Sequence, residues 1–377
     1  MSKLLAMIMS KKPQYMNLSV VGNPTISSGV VSNFSASNYI ELDNFDNIGT
    51  NDIEFCFKYT PTTLKTTRLF ATADSGSTFT GLVVGNSSPY FRFFVYGNST
   101  QYIVASSVVA QANTDYYIIG YRKGNKIGIK ISTDGINYTT NEDTIPDNLS
   151  LTNASKFYAG LNKNSSASYI DGSIDFYSSY IKIGNIKYNF QFTMPLTVIG
   201  SPTIVDGIVS GFSSSDYLKS SVSIDFYSNN NKSIEIFTKI TTGNTINGCG
   251  IISSLDYGNG CGGIIIGGSK LTTMIYYYNG TTNKNSQCNS SITLQANTTY
   301  YAKSLINLEN GYCEIYVSTD NINWTKTSKS NSDYVHIVSH NYIYGIGKAQ
   351  NGIFNGSINI YKSYITLDGT KYIFTLP

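Results

Sequence analysis

Along almost the whole chain, short runs rich in Ile, Val, Tyr, Phe and Thr alternate with clusters of Gly, Asn, Ser and Asp. Inside the runs, apolar and polar positions alternate with a period of two, as in strands that bury one face. No window combines a 3.6-residue period with caps at both ends, so an all-β chain is expected. Two hairpins stand out. Ile181 and Ile183 lead to a turn at Gly184 and Asn185, after which Ile186, Tyr188, Phe190 and Phe192 alternate onto one face. Ile365 and Leu367 lead to Asp368 and Gly369, followed by Tyr372, Phe374 and Leu376. Gly-Asn and Asp-Gly suit the positive φ angles of two-residue hairpin turns. A further hairpin lies in IKISTDGINYTT from Ile129 and again in IYVSTDNINWTKT from Ile315, with Tyr138 in the place of Trp324.

The pattern occurs twice. MNLSVVGNPTISSGVVSNFSASNYI from Met16 returns as MPLTVIGSPTIVDGIVSGFSSSDYL from Met194, a shift of 178 residues. DGSIDFYSSYIKIGNIKYNFQF from Asp171 returns as NGSINIYKSYITLDGTKYIFTL from Asn355, a shift of 184. The 377 residues therefore divide into an N-terminal arm (1–14) and two repeats, 15–193 and 194–377. Each repeat is long enough to bury a substantial core. Units of this size with regular turn spacing point to sandwiches or jelly rolls rather than small barrels. No Pro/Gly/Ser linker separates the copies, so abutting, stiffly joined domains are expected. A residue found in one copy alone cannot be required by the fold both copies share.

The formal net charge is +3, only 13% of residues are charged, and the lysines are scattered. That balance does not favour nucleic acid or anionic lipid as a partner. The apolar run Leu4–Met9 is too short to span a bilayer and lacks a signal-peptide cleavage site, so a protein made in a cytoplasm and not exported is expected. Leu4, Leu5, Ile8 and Met9 would form the apolar edge of a short docking arm, the alternative being a frayed terminus. The five cysteines match no metal pattern. Cys288 and Cys313 stand where the first copy has Val104 and Ile127, and are expected as small buried hydrophobes. Cys249 and Cys261 flank a Gly-rich turn and would face each other across a hairpin, as free thiols in a reducing compartment or as a disulfide.

IDGSIDFYSSYIKIG and FNGSINIYKSYITLDG, together with STDGINY and STDNINW, resemble the closing strands and a hairpin of the laminin-G-like, concanavalin A-like jelly roll. Gly172, Ile174 and Asp175 match the family's F-x-G-x-I-D unit, as do Gly356, Ile358 and Asn359, with the aromatic present only as Phe354. The resemblance covers both repeats and implies fold rather than activity. Tandem domains of this kind, Asn/Tyr/Ser-rich and without a signal peptide, are similar to bacteriophage fibre, appendage and capsid-decoration proteins. This implies a non-enzymatic virion protein present in several copies or as an oligomer. Its partners would be other capsid or tail proteins, and host-surface glycans in the adhesin alternative.

Glucanases of this family carry carboxylates in the pattern E-x-D-x-x-E, which places them on one face of a strand. The nearest match is Glu41, Asp43 and Asp46, and the second copy has Lys219 and no acid there, so no catalytic residue is expected. His336 and His340 sit four residues apart without further ligands near them, which argues against a metal site. Related jelly rolls often hold calcium, which keeps Asp43, Asp46, Asp171 and Asp175 open as oxygen donors, although Asn355 and Asn359 replace the last two in the second copy. No cofactor is otherwise expected. The glycine-rich stretch at Cys261 lacks the GK[ST] of a phosphate-binding loop. The remaining candidate is aromatic. With 31 tyrosines, many must lie outside the core. YFRFFVY (Tyr90 to Tyr96) corresponds to MIYYY in the second copy, and alternation turns half of each run outward. Tyr90, Tyr96, Tyr276, Tyr278 and Trp324 are therefore the expected contact residues, for protein surfaces before sugars.

Overall fold

The computed structural model describes residues 14–42, 48–64, 67–72, 80–84, 89–97, 99–147, 149–151, 156–161, 169–221, 224–225, 233–246, 248–254, 262–278, 283–330, 341–342, 344–349 and 352–377. Among them no helix occurs, so none could cross a membrane, and strands such as Ser233–Thr242 and Thr299–Asn307 alternate buried and half-buried positions as the sequence pattern predicts. The chain forms two compact units, Met1–Phe192 and Thr193–Pro377.

In the first unit, one sheet runs in the order Thr25–Ser27, Val30–Ser32, Gly172–Ile183, Ile53–Pro61, Tyr116–Lys123, Lys126–Ser132, Thr139–Thr144, antiparallel throughout. We call it the back sheet. The front sheet runs Gln14–Val21, Tyr39–Leu42, Phe157–Ala159, Thr67–Thr72, Gly81–Val84, Tyr90–Gly97, Thr100–Val109. The second unit repeats this order. Its back sheet is Thr203–Val205, Ile208–Ser210, Gly356–Leu367, Ser233–Thr242, Thr299–Asn307, Cys313–Ser318, Thr325–Lys329. Its front sheet begins with the end of the strand Ile186–Ile199 and continues Tyr217–Ser220, Tyr344–Ile346, Cys249–Ser254, Gly262–Gly267, Lys270–Tyr278, Asn283–Thr293. Each unit is thus an all-β sandwich of two sheets whose neighbouring strands, in these orders, run antiparallel.

The two cores are filled differently. In the first unit Phe55 and Phe57 of the back sheet meet Phe70 of the front sheet, with ring centroids 5.3 and 4.6 Å apart. Phe70 in turn stacks on Phe157 at 5.0 Å. In the second unit Ile236 occupies the position of Phe55, and Thr238 that of Phe57. The buried Thr238 hydroxyl is paired with Ser363 Oγ at 2.9 Å. Ile251, Ile252, Ile264, Ile358 and Ile365 fill much of the remainder. One strand order therefore accepts two chemically distinct interiors, provided alternation is kept.

Both closing hairpins form, as does the STD hairpin of each copy. Ile183 pairs with Ile186 and Leu367 with Thr370, and Gly184, Asp368 and Gly369 take positive φ. Of the alternating run after the first turn only Phe190 and Phe192 reach the core, while Ile186 is exposed at the turn. The glycine of the F-x-G-x-I-D unit has a steric cause. A Cβ would come within 2.2 Å of the Thr60 carbonyl oxygen at Gly172 and within 2.3 Å of the Thr241 carbonyl oxygen at Gly356. Gly29 and Gly207 are equivalent turn positions with φ near +79° and +74°, each lying under a tyrosine ring, Tyr177 and Tyr361. Gly29→Ala or Gly207→Ala should each cost about 1–3 kcal/mol, read as a lower urea midpoint.

Candidate binding face

Strand alternation leaves one face of each back sheet outside the core, where packing makes no demand on residue type. Six outward positions nevertheless carry matching chemistry in both copies: Glu54 and Glu235, Lys58 and Lys239, Tyr117 and Tyr301, Tyr138 and Trp324, Tyr180 and Tyr364, Lys187 and Lys371. They also make matching contacts. The Tyr180 hydroxyl donates to Glu54 Oε1 at 2.6 Å, and the Tyr364 hydroxyl to Glu235 Oε1 at 2.9 Å. Lys187 Nζ lies 4.0 Å from the Tyr180 ring centroid, and Lys371 Nζ lies 3.7 Å from that of Tyr364. Lys58 stands over Tyr117 at 5.7 Å, and Lys239 over Tyr301 at 5.4 Å. Burial and the neighbouring carboxylate push the hydroxyl pKa of Tyr180 and Tyr364 up, so both stay protonated donors. Each ring is thus fixed edge and face by a carboxylate and an ammonium.

The position held by Cys56 in the first copy and by Phe237 in the second differs in consequence as well as in type. Cys56 is a buried thiol, its pKa pushed up to about 11 chiefly by burial. Phe237 instead extends the aromatic surface. It stacks on Tyr364 at 5.2 Å with planes 10° apart, and its centroid is 6.3 Å from Trp324. The second repeat therefore carries a continuous row Tyr364–Phe237–Trp324.

Tyr138 and Trp324 reach this face from the STD turn. Asp134 Oδ1 accepts the backbone N–H groups of Ile136 and Asn137, both at 2.8 Å, and Oδ2 accepts Asn137 Nδ2 at 2.7 Å. Asp320 makes the same three bonds with Ile322 and Asn323. Backbone N–H donors, first that of Asn137 or Asn323, hold each carboxyl well below the usual carboxylate range. A depressed carboxyl pKa stabilises the fold above the unfolded-state value of ~3.9 and loses that effect as pH falls through the folded value. The amide resonances of Ile136, Asn137, Ile322 and Asn323 should therefore hold their positions on acidification through pH ~4, where a free Asp titrates, and move only below it. Ile136 and Ile322, at the tips of these turns, are 80% and 78% exposed.

The expected contact residues fall in several places. Trp324 belongs to this face. Tyr90 and Tyr96 lie half-buried in the front sheet, away from the six matched positions. Tyr276 and Tyr278 are in the strand Lys270–Tyr278, with side chains outside the described residues. The arm residues Leu4, Leu5, Ile8 and Met9 also lie outside them, as do His336, His340, Asp43, Asp46 and Cys261. Glu41 is held by Lys156 Nζ at 3.2 Å. Asp171 Oδ2 accepts the Thr63 hydroxyl at 2.7 Å. Asp175 Oδ1 accepts the Ser178 N–H at 3.0 Å, and Asn359 Oδ1 accepts the Lys362 N–H at the same distance, so both serve a turn at the strand bulge. Among the described residues no three His, Cys, Asp or Glu side chains are placed to hold a metal. Cys249 stands opposite Ile266, and burial pushes its thiol pKa up to about 12. Cys288 and Cys313 are buried, as expected.

Sequence reasoning missed five of the six matched pairs. The available signal was the same residue type at outward positions of both copies.

No protein-family model and no curated protein sequence matches the chain. In solved structures, the chain is similar to domains LG4-5 of the mouse laminin alpha1 chain, with 9% identity, a TM-score of 0.34, and coverage of 95% of this chain and 93% of that one. It is similar to the binding domain of botulinum neurotoxin serotype C1 at 10% identity and a TM-score of 0.35, covering 91% and 93% of the two chains. A tailspike protein of bacteriophage CBA120 matches 47% of this chain and 30% of its own, at 13% identity and a TM-score of 0.35. Scores this low transfer no residue roles, and the sandwich assignment rests on the chain's own ladders.

Proposed function

We propose that the protein is a non-enzymatic binding module that makes its contacts through the outer faces of its two back sheets. The retention of the six matched positions in both copies carries this reading. Core packing does not require them, yet half-buried Tyr and Trp rings beside lysines, with Tyr180 and Tyr364 held by carboxylates, make the rigid, amphipathic surface that interfaces favour. We place the module in a bacteriophage particle, as a fibre, appendage or decoration component in several copies, bound to other virion proteins and touching host-surface glycans. The sequence resemblance supports that setting, and residues 1–14 would then be the attachment arm.

Two experiments test this. Antibody detection on purified particles should find the protein as a virion component, and deletion of residues 1–14 should abolish its incorporation. A protein absent from particles ends the virion reading. Separately, the full chain should bind bacterial surface polysaccharide. Tyr180→Ala combined with Tyr364→Ala should weaken that binding by about 1–3 kcal/mol, on the scale of aromatic interface anchors. Undiminished binding by the double variant would remove the outer faces from the function.

A further inference from the structure

In the second repeat the outer face of the back sheet opens into a cavity of about 380 Å³, lined by Glu235, Leu305, Tyr312, Glu314, Thr366 and Gly369 among others. Its floor is one row of the ladder. Glu235 stands opposite Leu305, and Leu305 opposite Glu314, so two carboxylates flank a leucine across three adjacent strands. The same row in the first repeat reads Glu54, Tyr121, Gly128. There the Tyr121 ring lies over Gly128, where a Cβ would come within 2.2 Å of it, and its hydroxyl donates to Glu142 Oε1 at 2.5 Å. Tyr121 is only 8% exposed and fills the space. A shorter residue at 305 and a carboxylate at 314 leave that space open in the second repeat.

The chemistry of the walls selects the ligand. Glu235 Oε2 is 2.9 Å from Lys303 Nζ, and Glu314 Oε1 is 2.5 Å from Lys326 Nζ. Each carboxylate is thereby neutralised, which leaves little to attract a cation, while the carboxylates themselves disfavour an anion. Glu314 also accepts the hydroxyls of Tyr312 and Tyr316 at 2.5 and 2.6 Å. Burial alone would raise its pKa, but these bonds and Lys326 hold it below the usual range, so it is no proton donor near neutrality. What remains is an apolar floor between hydrogen-bond acceptors. Glu235 retains lone pairs beyond those used by Tyr364 and Lys303, since a carboxylate has about four acceptor sites. A pyranose ring meets both demands, with a C–H face for Leu305 and hydroxyls for Glu235. The volume falls in the usual range of small-molecule sites, roughly 300–1,000 Å³.

We propose that this cavity is a subsite for one uncharged saccharide unit, present in the second repeat and filled by Tyr121 in the first. The row Tyr364–Phe237–Trp324, joined to the cavity through the Tyr364–Glu235 hydrogen bond, is the platform for the adjoining units. This inference rests on the binding reading above and names the ligand class for one of its two faces.

Trp324 is the only tryptophan in the chain, so its fluorescence reports this site alone. The full chain is titrated with maltohexaose, cellohexaose, chitohexaose and mannohexaose, followed by Trp324 emission and by calorimetry. At least one should bind and shift the emission. Glu235→Gln should weaken that binding about tenfold, as for a lost hydrogen bond to a charged group. Leu305→Tyr combined with Glu314→Gly, which transplants the first repeat's arrangement, should abolish it while the thermal midpoint of each variant confirms folding. Ile103→Ala, at an exposed position on the front sheet of the first repeat, should leave the emission change intact. The proposal is overturned if no hexasaccharide alters emission or heat, or if both cavity variants bind as well as the parent. Saccharide binding that persists in the cavity variants but is weakened by Tyr180→Ala combined with Tyr364→Ala would overturn the cavity alone and leave the wider binding reading standing.

Discussion

Phe70→Ala is expected to cost the first repeat about 3–5 kcal/mol, the range for removing a large aromatic side chain from a close-packed core. Phe70 is fully buried and is in ring contact with Phe55, Phe57 and Phe157. Two of those rings belong to the opposite sheet, so the cavity would sit where the sheets are held together. Flanking strands fixed by their own ladders have little freedom to collapse into it. The check is urea unfolding followed by circular dichroism, with Trp324 fluorescence as the signal of the second repeat. A loss below about 1.5 kcal/mol would mean that the aromatic cluster relaxes far more than close packing allows. In the second repeat, removing a single methylene from the buried Ile252 in Ile252→Val should cost only about 0.5–1.5 kcal/mol.

Arg122→Met is expected to destabilise the first repeat by about 2–4 kcal/mol, through buried carbonyls left without donors. Arg122 is 1% exposed. Its guanidinium donates to the carbonyls of Thr50, Asn51 and Leu149, the last two at 2.8 and 3.1 Å. The corresponding residue in the second repeat is Ile306, which is also buried. The strand itself therefore needs no charge at this position. What the arginine does is clasp two connecting segments to the sheet end, and methionine keeps its volume while removing every donor. Denaturant titration of the single variant measures the loss. Protease sensitivity near Thr50 and Leu149 should rise with it, whereas a core defect alone would leave those segments bound. Unchanged stability would show that other donors, water included, satisfy the three carbonyls equally well.

These two residues illustrate the limits of reading the chain as text. Phe70 and its partners are apolar at alternating positions, and their burial follows from the period of two. Arg122 sits in YYIIGYRK, where alternation gives no reason to bury a cation. Its role depends on carbonyls contributed by residues 71 and 27 positions away. The same holds for the outer faces. Trp324 was accessible as a conspicuous single residue, but its value lies in Phe237 and Tyr364, and those reach it only through the register of the strands between them. Tyr90 and Tyr96 looked equally prominent in the sequence and sit on the other sheet.

The all-β class, the duplication, and the turns at Gly184 and at Asp368–Gly369 were legible in the chain alone. All of these are local: they follow from side-chain period, from φ preference, or from comparison of one copy with the other. Long-range strand pairing set which tyrosines face outward together, which lysine and glutamate hold each ring, and why the row Glu235–Leu305–Glu314 encloses space that Tyr121 fills in the first repeat. Each of those outcomes is set by the pairing of strands far apart in the chain. Moving a strand by one residue would turn every such side chain to the opposite face.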